Sequence, residues 1–324
     1  MVGFRDVFPP KPSFTEQHVG TQAGKVFIIT GANSGVGFEL AKMLYQKNGT
    51  VYIAARSESK IKHAINTIQQ EFPSSLGRLE SIVVDLSDLS TVKPAAQDFL
   101  RKEDRLDVLF HNAGVMLTSN DAKSSQGHEL RMATNCLGPQ LLTGILAPTL
   151  IQTSRKKLVQ QDSIRVVWVS SMINSGSPKG GIVWDDALNK PKILPTGMDQ
   201  YMQTKVGDVL LAHEWGERLA ENGVVSVSLH PGLMRTELQR DNKVMQTAMG
   251  IMFKPAKFGA YTELFAGFSP DLKVQNTGSY LIPWGRFGSI RDDITVGIKS
   301  KEQGGTGLAK RFWEYCESEI SSYK

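Results

Sequence analysis

The run Val26-Phe27-Ile28-Ile29-Thr30-Gly31-Ala32-Asn33-Ser34-Gly35-Val36-Gly37 constrains this chain most, because an apolar strand passes through a three-glycine turn directly into a helix. Glycine at 31, 35 and 37 permits positive φ and removes the Cβ atoms. Backbone N–H groups of the turn, with Asn33, Ser34 and Val36, and the positive end of the helix can then approach a pyrophosphate. The helix itself is read from Leu40, Met43 and Leu44 at core spacing. The pattern is G-x-x-x-G-x-G, not G-x-G-x-x-G. Neither Lys nor Ser/Thr follows Gly37 as a P-loop requires, which disfavours a nucleotide triphosphatase.

A dinucleotide site of this kind places a carboxylate on the ribose 2′-hydroxyl at the end of the second strand, about twenty residues beyond the first glycine. Here that strand is Thr50-Val51-Tyr52-Ile53-Ala54-Ala55, and Arg56-Ser57 follows it in place of an acid. Arginine accommodates a 2′-phosphate, so the residues favour NADP over NAD.

A second constellation is Tyr201-Met202-Gln203-Thr204-Lys205, whose spacing of four puts both end side chains on one helix face. A phenol titrates near pH ~10 and serves as an acid or base at neutral pH when a neighbouring cation such as Lys205 stabilises the phenolate. Upstream, Ile164 to Val169 reads as a buried strand ending in Ser170-Ser171, a natural position for a hydroxyl that holds a substrate oxygen.

With these residues in place, the chain resembles the short-chain dehydrogenase/reductase family, in the style of its retinol-dehydrogenase-like, NADP-preferring branch. Thr30-Gly31, Gly35 and Gly37 match the family's cofactor turn, Asp85-Leu86 the pair that closes over the adenine, and Asn112-Ala113-Gly114 the fourth-strand motif. Asn135 matches the helix asparagine, Ser171 the catalytic serine, and Tyr201 and Lys205 the tyrosine and lysine. Pro231-Gly232-Leu233-Met234-Arg235-Thr236 resembles the segment that meets the nicotinamide carboxamide. There are two departures: His111 stands where the family often has asparagine, and residues 172–200 form a longer stretch than compact members carry. Ser170 and Ser171 point to opposite strand faces, and alignment selects Ser171.

The resemblance implies an NADP(H)-dependent oxidoreductase that interconverts an alcohol and a ketone or aldehyde on a lipophilic small molecule, running as a reductase. A carbonyl accepting hydride develops negative charge on oxygen and needs a proton donor and hydrogen-bond donors there. Tyr201 would supply the proton and Ser171 would hold the oxygen. Lys205 would lower the tyrosine pKa and bind the nicotinamide ribose, and Asn135 would link the lysine to solvent through a water. Two other readings keep the same pocket. A non-catalytic NADP-binding regulator would turn over no carbonyl, and a lyase or isomerase would turn over without net consumption of NADPH.

Other chemistries fit less well. His213-Glu214 lacks the second histidine of a zinc-protease helix, and Cys136 and Cys316 have no C-x-x-C spacing, so no metal site is expected. Two isolated cysteines fit a reducing, cytoplasmic setting. The net charge of +5 is dispersed, with no basic stripe interleaved with aromatics, so no nucleic-acid partner is expected. The apolar run from Cys136 to Ile151 is broken by Pro139, Gln140 and Pro148. It is too short to span a bilayer and reads as a core or dimer-interface helix, which leaves a homo-oligomer open.

The expected architecture is α/β: one enlarged domain over 24–324 after an N-terminal extension of residues 1–23, built on a doubly wound, Rossmann-like parallel sheet. Strands are predicted near 25–30, 50–55, 81–85, 107–111, 164–170, 224–229 and 277–282, and helices over 35–47, 58–71, 126–150 and 200–221. Segments 172–200 and 234–258 should flank the pocket mouth. Trp184, Ile193 and Leu194 lie in the first, with a methionine-rich lid of Met234, Met245, Met249 and Met252 in the second.

Overall fold

The computed structural model describes residues 8–116, 118–234 and 253–324. Among the described residues there are ten strands: β1 (Val26–Thr30), β2 (Thr50–Ala55), β3 (Arg78–Val83), β4 (Val108–His111), β5 (Ile164–Val169), β6 (Trp184–Asp185), β7 (Lys190–Pro191), β8 (Val224–Leu229), β9 (Tyr280–Ile282) and β10 (Arg286–Phe287). Eight form one sheet in the order β10-β9-β8-β5-β4-β1-β2-β3, parallel except for β10, and β6-β7 is a separate antiparallel pair. The chain leaves β1 toward β2 and β3, then returns to β4 on the other side. A crevice therefore opens beyond the carboxyl ends of β1 and β4.

Helices α1 (Gly35–Gln46), α2 (Glu58–Glu71), α3 (Leu89–Lys102), α4 (Gly138–Ser154), α5 (Gly197–Leu219), α6 (Ala256–Phe268), α7 (Asp292–Ile298) and α8 (Leu308–Ile320) cover both faces. Alternation along each strand divides the core in two. Phe27, Ile29, Phe110 and Val167 pack under α1, α2 and α6, while Ile28, Leu109 and Trp168 pack under α4, α5 and α8. Both faces are buried, which is why these strands read as largely apolar runs.

Several boundaries differ from the sequence reading. β3 lies at 78–83 rather than 81–85, because it pairs from Thr50↔Arg78 to Ala55↔Val83. Gly77 sits so tightly on the turn that leads into β2 that a Cβ would come 2.7 Å from the Gly49 carbonyl. The charged residues Arg78 and Glu80 suit this edge strand and hide it from an apolar-run search. The helix expected over 126–150 starts at Leu130, where the Glu129 carboxylate accepts from Met132 N at 2.8 Å, and runs on to Ser154. α5 begins at Gly197, capped by Thr196, whose hydroxyl accepts from Asp199 N at 3.0 Å.

α8 packs across α5 and α4. Gly207 on α5 faces Phe312 and Cys136 so closely that a Cβ would lie 2.9 Å and 2.8 Å from them, and Trp313 meets Trp215 edge-on at 4.7 Å. Of the two readings of the helix around residues 136–151, core is the one observed within this chain. Trp184, placed by sequence at the pocket mouth, instead packs on Tyr315 of α8 and carries Arg311 over its ring. The described part of the N-terminal extension lies against α6, with Phe14 edge-on to Phe265 at 5.6 Å and Glu16 paired to Lys257 at 2.8 Å. Among the described residues, no helix is long and apolar enough to cross a membrane.

Candidate active site

The glycine turn is locked to the end of β4. Thr30 Oγ1 donates to Phe110 O at 3.2 Å and accepts from Ala113 N at 3.0 Å, while Asn112 Nδ2 donates to Thr30 O at 2.9 Å. These bonds explain two of the glycines. At Gly31, with φ +70°, a Cβ would lie 2.9 Å from Ala113 Cα, and at Gly37 it would strike the Asn112 amide. Gly35 also takes positive φ, +63°. Ser34 is the N-cap of α1 but makes no side-chain capping bond, and the first turn carries no acid. The helix N-terminus therefore offers its N–H groups to an anion. Asn33 is half-buried in the turn, whereas the Val36 side chain is buried against Gly259 of α6, leaving only its backbone toward a ligand.

Arg56 follows β2, exposed and without a bond or ion pair among the described residues; the nearby Glu58 is engaged by Lys62 at 2.6 Å. Beyond β3, the Asp85 carboxylate accepts from Ser87 N and Oγ at 2.9 and 2.6 Å, and Leu86 is buried where Gly138 leaves it room.

Asn135 lies in a π-helical turn, Ala133–Leu137, between a short helical segment at 130–132 and α4. Its Nδ2 donates to Val115 O at 3.1 Å and Thr204 Oγ1 at 2.9 Å, and its Oδ1 accepts from Val115 N at 2.8 Å. One lone pair on Oδ1 is left. A Cβ on Gly114 would stand 3.4 Å from both that oxygen and Lys205 Nζ, so Gly114 marks where the asparagine, the lysine and the β4 loop meet.

Tyr201 and Lys205 share one face of α5, with Nζ 5.6 Å from the ring centroid. Lys205 Nζ donates to Val169 O at 2.9 Å and to Asp208 Oδ2 at 2.7 Å. Ser170 is spent internally: its hydroxyl donates to Lys205 O at 2.5 Å and accepts from Asn174 Nδ2. Ser171 lies on the Tyr201 side, where its hydroxyl lowers the phenol's pKa; the same hydroxyl accepts from Ile173 N at 3.4 Å. Asn174 also donates to the Tyr280 hydroxyl at 3.1 Å, which donates to Ser171 O, so one chain of bonds fixes both serines relative to α5.

Lys205 lowers the Tyr201 pKa as expected, but it does not set the net direction. Burial raises the Tyr201 pKa above its ordinary value and outweighs the lowering by Lys205 and Ser171; Asp208 raises it further. Burial also pushes the Asp208 carboxyl up to about 6 against the pull of Lys205. His111, the departure from the usual asparagine, is a core residue. Its Nε2 bonds Thr143 Oγ1 at 2.6 Å, its ring lies 4.3 Å from Trp168, and burial holds its pKa down to about 3.

Past β8, Gly232 has φ +93°, and a Cβ there would meet the Trp284 ring at 2.9 Å; its N–H donates to His230 Nδ1. Pro231 and Leu233 are half-buried beside it. Met234 is not a lid side chain: it is 5% exposed and fills the space left by Gly232 and Gly259. Arg235, Thr236, Met245, Met249 and Met252 lie outside the described residues.

A family profile described as short chain dehydrogenase matches residues 25–183. A short-chain dehydrogenase/reductase of Phomopsis amygdali is 43% identical over 324 residues, covering 98% of this chain and 96% of its own. The chain belongs to the short-chain dehydrogenase/reductase family. Among solved structures, an uncharacterized protein from Mycobacterium paratuberculosis is similar with TM-score 0.67 at 25% identity, over 95% of this chain and 97% of its own. L-Sorbose reductase from Gluconobacter frateurii, complexed with NADPH and L-sorbose, is similar in fold with TM-score 0.60 at 18% identity, over 81% of this chain and 95% of its own.

As a short-chain dehydrogenase/reductase, the protein is an oxidoreductase on a Rossmann-like sheet. Sequence reasoning missed Asp208, Asn174 and Tyr280 around its candidate site. Asp208 was legible as an acid three residues after Lys205 on the same helix face. The other two come together only through the fold.

Proposed function

We propose that the protein is an NADP(H)-dependent reductase that converts a ketone or aldehyde on a lipophilic small molecule to the alcohol. The observation carrying this reading is the meeting of Lys205 and Asn135 at Gly114, with the Tyr201 ring 5.6 Å from the Lys205 ammonium and Ser171 on the Tyr201 side, at the carboxyl ends of β4 and β5. The glycine cradle and the uncapped start of α1 fit a bound dinucleotide, which when present supplies the hydride. Gly31, Asn33, Ser34, Gly35, Gly37 and the backbone of Val36 would hold its phosphates. Asp85 and Leu86 would border the adenine. Asn112, Ala113, Gly114, Pro231, Gly232 and Leu233, with Thr236, would border the remainder.

The chain's own groups divide the proton chemistry. Tyr201 releases its hydroxyl proton to the substrate oxygen while Ser171 donates a hydrogen bond to that oxygen. The ammonium of Lys205 steadies the phenolate left behind. The free lone pair on Asn135 Oδ1 can accept from a water that returns a proton from solvent. The test is oxidation of NADPH by the purified protein with a panel of carbonyl compounds; no turnover across a broad panel would defeat the reading.

The preference for NADPH rests on Arg56, exposed and unengaged at the end of β2. Charge-assisted bonds of about 1.5–3 kcal/mol each correspond to a roughly ten- to hundredfold advantage over NADH. Arg56→Asp is expected to reverse it by repelling the phosphate and accepting from a 2′-hydroxyl. Equal affinity of the unaltered protein for both cofactors, measured by fluorescence titration, would refute the assignment.

The lipophilic substrate class rests on segment 172–200. Met172 and Ile173 adjoin Ser171 and are half-buried, while Ile193 and Met198 are 62% and 45% exposed before Tyr201. A bulky apolar ketone should show the higher kcat/KM when compared with a small polar keto acid. The opposite order would remove the substrate proposal and leave the tyrosine and cofactor assignments standing.

A further inference from the structure

The Lys205 ammonium has three protons to give. Two go to Val169 O and Asp208 Oδ2, and the lysine and the aspartate are 4% and 3% exposed. Such a pair, held away from water, interacts much more strongly than one on the surface. The carboxylate lies on the same helix as Tyr201, three residues beyond the lysine, so whatever charge it carries is felt by the phenol through a poorly screening interior.

We propose that Asp208 is a positioning residue for the Tyr201–Lys205 pair: its carboxylate aims the Lys205 ammonium and offsets its charge, so that the phenol rests in the protonated form that carbonyl reduction consumes. This rests on the catalytic reading of Tyr201 given above. Two opposed influences act on the phenol. Lys205 favours the phenolate, and Asp208 disfavours it. Among the described residues, the other ionisable groups near the pair are Cys136 from the π turn, with Cys316 of α8 and Glu129 behind it, and Glu129 is ion-paired with Arg131 at 2.9 Å. Burial keeps both thiols protonated, so neither supplies charge around neutral pH. Among the described residues, Asp208 is thus the group that decides how much of the lysine's charge the tyrosine feels.

In reduction the Tyr201 O–H bond breaks as the substrate O–H bond forms, and the phenolate is then reprotonated from solvent. A phenol that stays protonated well above neutral pH keeps this acid fully loaded. In alcohol oxidation the same phenol must first lose its proton, so that direction should rise steeply with pH.

The test is Asp208→Asn, which keeps the shape and removes the charge. Tyr201 should then titrate about one unit or more lower, the size of effect a neighbouring charge produces. Its titration is isolated as the difference in ultraviolet tyrosinate absorbance between each protein and the same protein carrying Tyr201→Phe. The pH profile of alcohol oxidation should move down by the same amount, and Asp208→Glu should restore it toward the original. An unchanged Tyr201 titration and an unchanged profile in folded Asp208→Asn would overturn the proposal, as would a fall in rate with no movement along the pH axis. If Asp208→Asn does not fold, the unaltered protein decides, because Tyr201 titrating below the ordinary tyrosine value would overturn it equally. The titration needs no turnover. Absence of carbonyl reduction with the titration shift present would therefore count against the function proposed above and not against the role of Asp208.

Discussion

Tyr201→Phe is expected to lower turnover by about 10²–10⁴-fold, the range associated with losing a general acid, while leaving NADPH affinity unchanged. The ring is buried, so phenylalanine occupies the same space and α5 keeps its course. The groups assigned to the cofactor phosphates lie on the β1 turn and after β2, away from the phenol. Ser171 cannot take over, because its hydroxyl is a far weaker acid than a phenol. Stopped-flow turnover together with a fluorescence titration of NADPH separates the two quantities, and a rate equal to that of the unaltered protein would mean that another donor acts. The lysine is a poorer target for the same question. Lys205→Ala would leave Asp208 as a buried carboxylate without its ion-pair partner, and such losses cost about 3–5 kcal/mol. A fall in activity there would mix catalysis with stability, so it should be read beside Asp208→Asn.

A second large effect is expected at Glu263 on α6. This side chain is fully buried, and among the described residues neither carboxyl oxygen has a hydrogen-bond partner. Burial raises its pKa to about 8, so the folded chain holds it as a neutral acid. In the unfolded chain it ionises above its ordinary value of 4.5. The unfolded state is therefore favoured progressively as pH climbs through this interval, and the protein loses stability until the folded carboxyl itself ionises near pH 8. Each pKa unit is worth about 1.4 kcal/mol, so the loss reaches several kcal/mol. Glu263→Met, of similar length and without a charge, should raise the melting temperature slightly at pH 5 and much more at pH 8. Parallel melting curves across that range would refute the account.

Much of the sheet was legible because β1, β2, β5 and β8 are buried on both faces and read as largely apolar runs, interrupted only by Arg165 in β5 and by Ser226 and Ser228 in β8. β3 was legible only at its end, since its edge position admits Arg78 and Glu80 and the apolar Ile82-Val83-Val84 draws the expected strand a few residues too far along the chain. The candidate site residues stand out in sequence through spacing, but their partners do not. Glu263 looks like an ordinary solvated charge on a helix until the sheet beneath it is known. Arg165 is similar: a charged residue inside a strand, it proves to be buried and satisfied by the carbonyls of Ala266, Ser269 and Leu272. Ser170 and Ser171 differ only in which face of a strand end they occupy, a parity that apolar patterning cannot resolve and that the contact of Ser170 with Lys205 O makes plain.

The π turn before α4 has a further consequence, one of phase. An α-helix advances about 100° per residue, so a turn holding one extra residue rotates everything after it by that angle. Arg131, anchored to Met116 O and Thr118 O on one side of the turn, and Leu141 and Leu142, packed into the core on the other, are in register only with the extra residue present. Asn135 sits inside that offset. Deleting a single residue between Ala133 and Leu137 would regularise the helix, yet it would either swing the asparagine off Val115 and Thr204 or turn the buried stripe of α4 toward solvent. The amide and the core stripe are thus geared together, and neither can be re-aimed alone.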